Sequence, residues 1–133
     1  MVMLTKDEQI LQHIIKYCNQ IDTTVKELNV TKNKFEENFI FQNALSMPIL
    51  QIGELVKRFS DEFVKENPEI PWRYIAGMRN RLVHEYTEIN LEYTWNTVSE
   101  DIPALNKYCK EFLKSRGIST PESEKVKTYS SSR

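Results

Sequence analysis

Along the first quarter of the chain, apolar side chains return every three or four residues, at Ile10, Ile14, Tyr17, Ile21, Val25 and Leu28. That is the period of an α-helix, and nowhere in the 133 residues does strict alternation support a strand. The fold class that follows is all-α. Thr5 followed by Glu8 has the form of a capping box, which places the first helix at about 6–29. Steps of four and three residues draw a narrow apolar seam, suited to lying along another long helix.

After the polar stretch Asn29–Lys34, helical spacing resumes through Phe35, Phe39, Leu45, Ile49, Ile52, Leu55, Val56 and Phe59. Pro48 is expected to bend or break this second helix. Gly53 lies inside it at a cost of about 1 kcal/mol relative to Ala, which points to the close approach of another backbone. Ser60 can cap a short turn through Glu66, and Pro71 suits the first position of a third helix from about Trp72 to Tyr86. Asn90 can cap a fourth helix carrying Leu91, Trp95, Val98, Ile102, Leu105, Cys109 and Phe112, kinked at Pro103 and closed by Gly117. Four main helices and one short piece therefore form a bundle domain over residues 1–117. Residues 118–133, rich in Ser, Thr, Lys and Glu, are expected to be a disordered tail.

Composition removes several function classes. The three isolated glycines, Gly53, Gly77 and Gly117, cannot write a phosphate-cradling loop. Cys18 and Cys109 stand alone and the two histidines lie far apart, so no metal site and no cofactor is called for. No stretch is read as a membrane span, and the chain reads as cytoplasmic. With 18 basic and 19 acidic side chains the net charge is −1, which argues against non-specific coating of nucleic acid.

Charge is nevertheless uneven. The segment W-R-Y-I-A-G-M-R-N-R-L-V-H-E-Y, residues 72–86, holds Arg73, Arg79 and Arg81, three of the six arginines, together with His84. On a wheel at 100° per residue, Met78, Leu82 and Tyr86 fall within about 60° of Ile75, and Arg79 falls at about 40°, inside the same stripe. A guanidinium placed there needs a carboxylate, a ligand or a cleft, and Glu54 is the internal partner considered for it. Gly77, Asn80 and His84 line the opposite strip, which could admit a close partner. Arginine matches phosphate oxygens, and histidine titrates near neutrality, a pairing suited to phosphodiester chemistry. On one straight helix Arg79 and His84 are about 140° apart, so either the helix ends between them or symmetry-related copies build a shared cleft.

R-N-R-L-V-H-E-Y, from Arg79 to Tyr86, resembles the Arg-x4-His-x-Tyr signature of HEPN-domain ribonucleases, and the chain is similar to the HepT-type toxins of prokaryotic toxin–antitoxin pairs. Q-I-G-E-L (Gln51–Leu55), P-E-I-P-W-R-Y-I-A-G-M (Pro68–Met78), I-N-L-E-Y-T-W (Ile89–Trp95) and E-D-I-P-A-L (Glu100–Leu105) resemble the segments around that motif, so the likeness covers about residues 7–115. The resemblance implies a helical homodimer whose two motifs face one cleft and cleave RNA without a metal. It implies His84 as general acid or base, Arg79 as the group that stabilises charge on the scissile phosphate, and Asn80 as the residue that orients them. Arg73 and Arg81 are RNA-contact candidates. It further implies a type VII-like pairing of the HepT/MntA kind, in which a minimal nucleotidyltransferase antitoxin transfers AMP to Tyr86. The alternative is a non-catalytic HEPN dimer that binds nucleotide or scaffolds such a nucleotidyltransferase.

Overall fold

The Thr5 capping box forms as its pattern implies: the Glu8 N–H donates to Thr5 Oγ1 at 3.1 Å, and the Thr5 N–H donates to Glu8 Oε1 at 2.8 Å. In the computed structural model, which describes residues 3–83 and 89–127, this cap opens α1 (Lys6–Glu27). The helix stops at Glu27 because Asn29 turns into the left-handed region at φ 51°, and the Val30 N–H closes back on the Val25 carbonyl at 3.0 Å. Its buried face is broader than the seam drawn from spacing. Leu11 and Ile15 are as fully buried as Ile14, because α1 is packed from two sides, by α3 and by α8.

The second apolar segment is two helices, α2 (Lys32–Glu37) and α3 (Phe39–Val56). They part at Asn38, whose side chain accepts the Ile40 N–H at 2.9 Å, and not at Pro48. Helix α3 continues unbroken through the buried Pro48, whose nitrogen has no N–H to donate. This helix also corrects the reading of membrane spans: its 18 residues reach a mean hydropathy of 1.2, enough by length and composition to cross a bilayer. One face of it is the centre of the bundle, with Leu45, Ile49 and Ile52 fully buried.

Ser60 caps α4 (Asp61–Glu66), accepting the Phe63 N–H at 3.1 Å while its own hydroxyl donates to Asp7 Oδ2 at 2.6 Å, which ties α4 to the start of α1. Trp72 is a core anchor, its indole N–H donating to the Asn67 carbonyl at 2.8 Å and its ring 5.0 Å from that of Phe59. The predicted helix 72–86 is instead α5 (Trp72–Ala76) and α6 (Met78–Leu82), separated at Gly77. Asn90 caps α7 (Leu91–Asn96) as expected, accepting the Tyr93 N–H at 3.0 Å. The irregularity expected at Pro103 lies just upstream, as a π-helical turn over Thr97–Asp101, and the proline sits in the first turn of α8 (Ile102–Ser115). A widened turn accommodates the bond that the proline nitrogen cannot donate. Gly117, at φ 71°, ends α8 with the Ile118 N–H on the Leu113 carbonyl at 2.9 Å.

Among the described residues there is no strand, so the all-α expectation holds. Residues 118–127 have no regular structure but lie along α1: Gln12 Nε2 and Asn19 Nδ2 donate to the carbonyls of Ser119 and Pro121, and the Val126 N–H donates to Glu27 Oε1, while residues 128–133 of the expected tail lie outside the described residues.

The close approach inferred at Gly53 is present. A Cβ there would stand 3.3 Å from the Ile75 carbonyl oxygen and 3.8 Å from that of Ala76. Backbone of α5 thus rests directly on α3. Gly53→Val should therefore destabilise the fold by about 1–3 kcal/mol, as overpacking does, read as a lowered urea midpoint with an unchanged slope.

Candidate functional site

Helix α6 is only five residues long, and its orientation is set by Met78 and Leu82, both buried to within about one per cent. Arg79, Asn80 and Arg81 lie between these anchors and all three are exposed. This overturns the buried position inferred for Arg79. The wheel kept Ile75, Met78 and Leu82 on the core side correctly, but it assumed one continuous helix, and the break at Gly77 resets the angle at which Arg79 leaves it.

Glu54 is not the partner of a buried arginine either. It is exposed, and its carboxylate receives Lys57 Nζ at 2.7 Å. Its pKa is held below the ordinary carboxylate value first by that hydrogen bond, then by the Lys57 charge, and more weakly by Arg79 and Arg58. Arg79 therefore sits within electrostatic reach of Glu54 as an exposed guanidinium, ready for an anion from outside.

Arg81 is more firmly placed. Its guanidinium lies 4.1 Å over the Tyr74 ring, and Nη1 donates to the Tyr74 carbonyl at 2.9 Å. Gly77 leaves the room for this: a Cβ there would come within 3.2 Å of Arg81 Nη1. The close partner expected at Gly77 is thus a side chain of the same helix pair. Beside this cluster, burial, with Tyr74 as neighbour, pushes the Tyr93 phenol up to about 12.

Past Leu82 the backbone turns extended at Val83, φ −112° and ψ 121°, so the helix ends between Arg79 and the position of His84. Val83 forms an antiparallel bridge with Ile89, and the Asn90 N–H donates to the Leu82 carbonyl at 2.7 Å. Residues 84–88, with His84 and Tyr86, lie outside the described residues. The two ends of that segment are held together at the C-terminus of α6.

Arg73, on α5, is exposed on the rim of a cleft of about 450 Å³ between the end of α3, α4 and α5. Two further cations, Lys57 and Lys65, share that rim. Sequence reasoning passed over both. Lys57 caps the C-terminus of α3 and Lys65 lies on α4, so no single wheel puts them together, and only the turn between those helices does.

These features define an all-α bundle presenting a short arginine-bearing helix that stops immediately before a histidine. Residues 11–112 match the family model described as Ribonuclease HepT-like. "Putative RNase TTE0752" of Caldanaerobacter subterraneus subsp. tengcongensis is 35% identical over 103 residues, covering 77% of this chain and 90% of the relative. "Putative RNase MJ1216" of Methanocaldococcus jannaschii is 31% identical over 108 residues, 78% and 84% of the two chains. "Probable ribonuclease HepT" of Thermococcus cleftensis is 46% identical over 54 residues, 41% of this chain and 49% of the relative. No solved structure matches. The chain belongs to the HepT-like ribonuclease family, which makes it an RNase-type enzyme.

The Arg81–Tyr74 contact yields a direct check. In a double-mutant cycle of Arg81→Ala and Tyr74→Leu, urea unfolding should report a coupling energy of about 0.5–1 kcal/mol, the range for an exposed cation–π pair.

Proposed function

We propose that this protein is a metal-independent endoribonuclease toxin that cuts RNA through Arg79, Asn80 and His84, acts as a cytoplasmic homodimer, and is neutralised by a nucleotidyltransferase antitoxin that transfers AMP to Tyr86. One observation carries the reading. In a HepT-like chain, Arg79 is an exposed guanidinium on a helix that ends at Leu82, so the backbone changes direction before His84 and the straight-helix separation of the two no longer applies.

The reaction would begin with attack of a ribose 2′-hydroxyl on the adjacent phosphorus. The 2′-oxygen–phosphorus bond forms as the bond to the 5′-oxygen breaks, the 2′ proton passes to a base, and the leaving 5′-oxygen takes up a proton. His84 serves as that base or as the acid, and Arg79 meets the charge that grows on the non-bridging oxygens. Asn80, next to Arg79 on the solvent side of α6, orients the phosphate. A substrate without a 2′-hydroxyl would resist.

The homodimer is supported by the outward face of α3. Ile40 and Met47, one full heptad apart, are 60% and 59% exposed, with Phe39 beside them at 70%. That stripe continues along the same face to Glu54, about 21 Å away at the helical rise, where the Arg79 charge is felt. A second copy covering it would bring two Arg79 side chains toward one cleft and remove exposed apolar surface. AMP on Tyr86 would add anionic charge within two residues of His84 and repel the RNA backbone.

Purified protein should cut RNA in EDTA and leave matched DNA intact. Arg79→Ala and His84→Ala should each lower the cleavage rate by about 10²-fold or more while helical circular dichroism and dimer mass stay unchanged. Equal cutting of RNA and DNA, or variants that cut as well as the parent, would sink the nuclease assignment. Loss of partner binding with no change in cleavage would favour the scaffold alternative. Protein co-expressed with the antitoxin should carry AMP on Tyr86 by mass spectrometry, and Tyr86→Phe should escape neutralisation.

A further inference from the structure

The cleft between the end of α3, α4 and α5 has no role in the chemistry just described. Its floor is aromatic and apolar, from Phe59 and Trp72, and its rim carries Lys57, Lys65 and Arg73 against one acid, Asp61. Three cations and one anion around about 450 Å³ make a concave positive site on a chain whose net charge is −1. Among the described residues, neither Lys65 nor Arg73 lies within ion-pair distance of a carboxylate. Lys57 shares its charge with Glu54, and Glu54 also feels Arg79 and Arg58. Lys57 on the cleft rim and Arg79 on α6 thus both lie within charge–charge range of one carboxylate. Arg73 and Arg79 stand on successive helices, since α5 passes into α6 through Gly77 alone.

We infer that this cleft is a phosphate-binding subsite for single-stranded RNA, holding the backbone next to the linkage presented to Arg79. Lys65 and Arg73 contact a flanking phosphate, Lys57 adds charge, and the aromatic floor accepts the sugar or base edge. A concave site with cations on its rim and an aromatic floor fits a sugar–phosphate strand, which carries its charge on the backbone and a π-face on every base. The inference rests on the RNA-cleaving reading, and it adds that substrate recognition extends beyond the scissile phosphate.

The test uses the full chain, a Lys65→Ala/Arg73→Ala double variant, and Lys114→Ala as a control on the exposed last turn of α8. Affinity is measured by fluorescence anisotropy with an uncleavable 2′-O-methyl oligonucleotide, and cleavage with RNAs of increasing length from the dinucleotide. For the parent, KM should fall once the strand is long enough to reach the cleft. The double variant should lose that step, bind the uncleavable strand at least tenfold more weakly, and show a shallower salt dependence, its log–log slope reduced by about 0.7 for each lost phosphate contact. Lys114→Ala should match the parent. Unchanged affinity and slope in the double variant would overturn the subsite, as would a parent that binds no RNA, or a double variant that loses only antitoxin binding. If the parent binds but cuts nothing, while the double variant still loses affinity and slope, the subsite stands and the nuclease assignment alone falls.

Discussion

The arrangement depends on one contact between backbones, where α5 lies on Gly53 of α3 with the Ile75 carbonyl oxygen 3.3 Å from the place a Cβ would occupy. Helix α3 is the central element, buried against α1, α5 and α6, and a side chain at position 53 would hold α5 away from it. Because α5 leads through one residue into α6, the height at which α5 rests decides where Met78 and Leu82 enter the core. Those two anchors in turn decide where Arg79, Asn80 and Arg81 emerge. A glycine in the last turn of the most apolar helix, unfavourable by propensity, is thus the point that positions a set of polar residues three helices later in the chain.

Much of the bundle was legible from the sequence because its signals are local. The Thr5–Glu8 box, the Ser60 and Asn90 caps and the Gly117 ending each involve groups within a few residues of one another, and each forms. What escaped was decided by packing at a distance. Helix α1 buries a wide face because two helices flank it, and no spacing within α1 reveals a second neighbour. Pro48 does not break α3 because the burial of Leu45, Ile49 and Ile52 outweighs one absent hydrogen bond.

At the site, the residue types and their grouping were readable and their directions were not. A wheel carries an angle forward only while the helix is unbroken. The stop at Gly77 left Arg79 exposed where the wheel buried it, and it left Glu54 to Lys57. Lys57 and Lys65 were invisible for a related reason: one caps the end of α3 and the other lies on α4, and charges on either side of a turn leave no periodic trace. A near-neutral chain can therefore gather three cations against one acid on a single cleft, from positions scattered in sequence.

The bridge between Val83 and Ile89, with the Asn90 N–H on the Leu82 carbonyl, joins the end of α6 to the start of α7. Bringing together two points so close in the chain costs little loop-closure entropy, so a bridge and one backbone hydrogen bond suffice to fix them. The exit of α6 and the entry of α7 are thereby locked to one another, and a shift of Leu82 in the core is passed through Asn90 to the cap of α7.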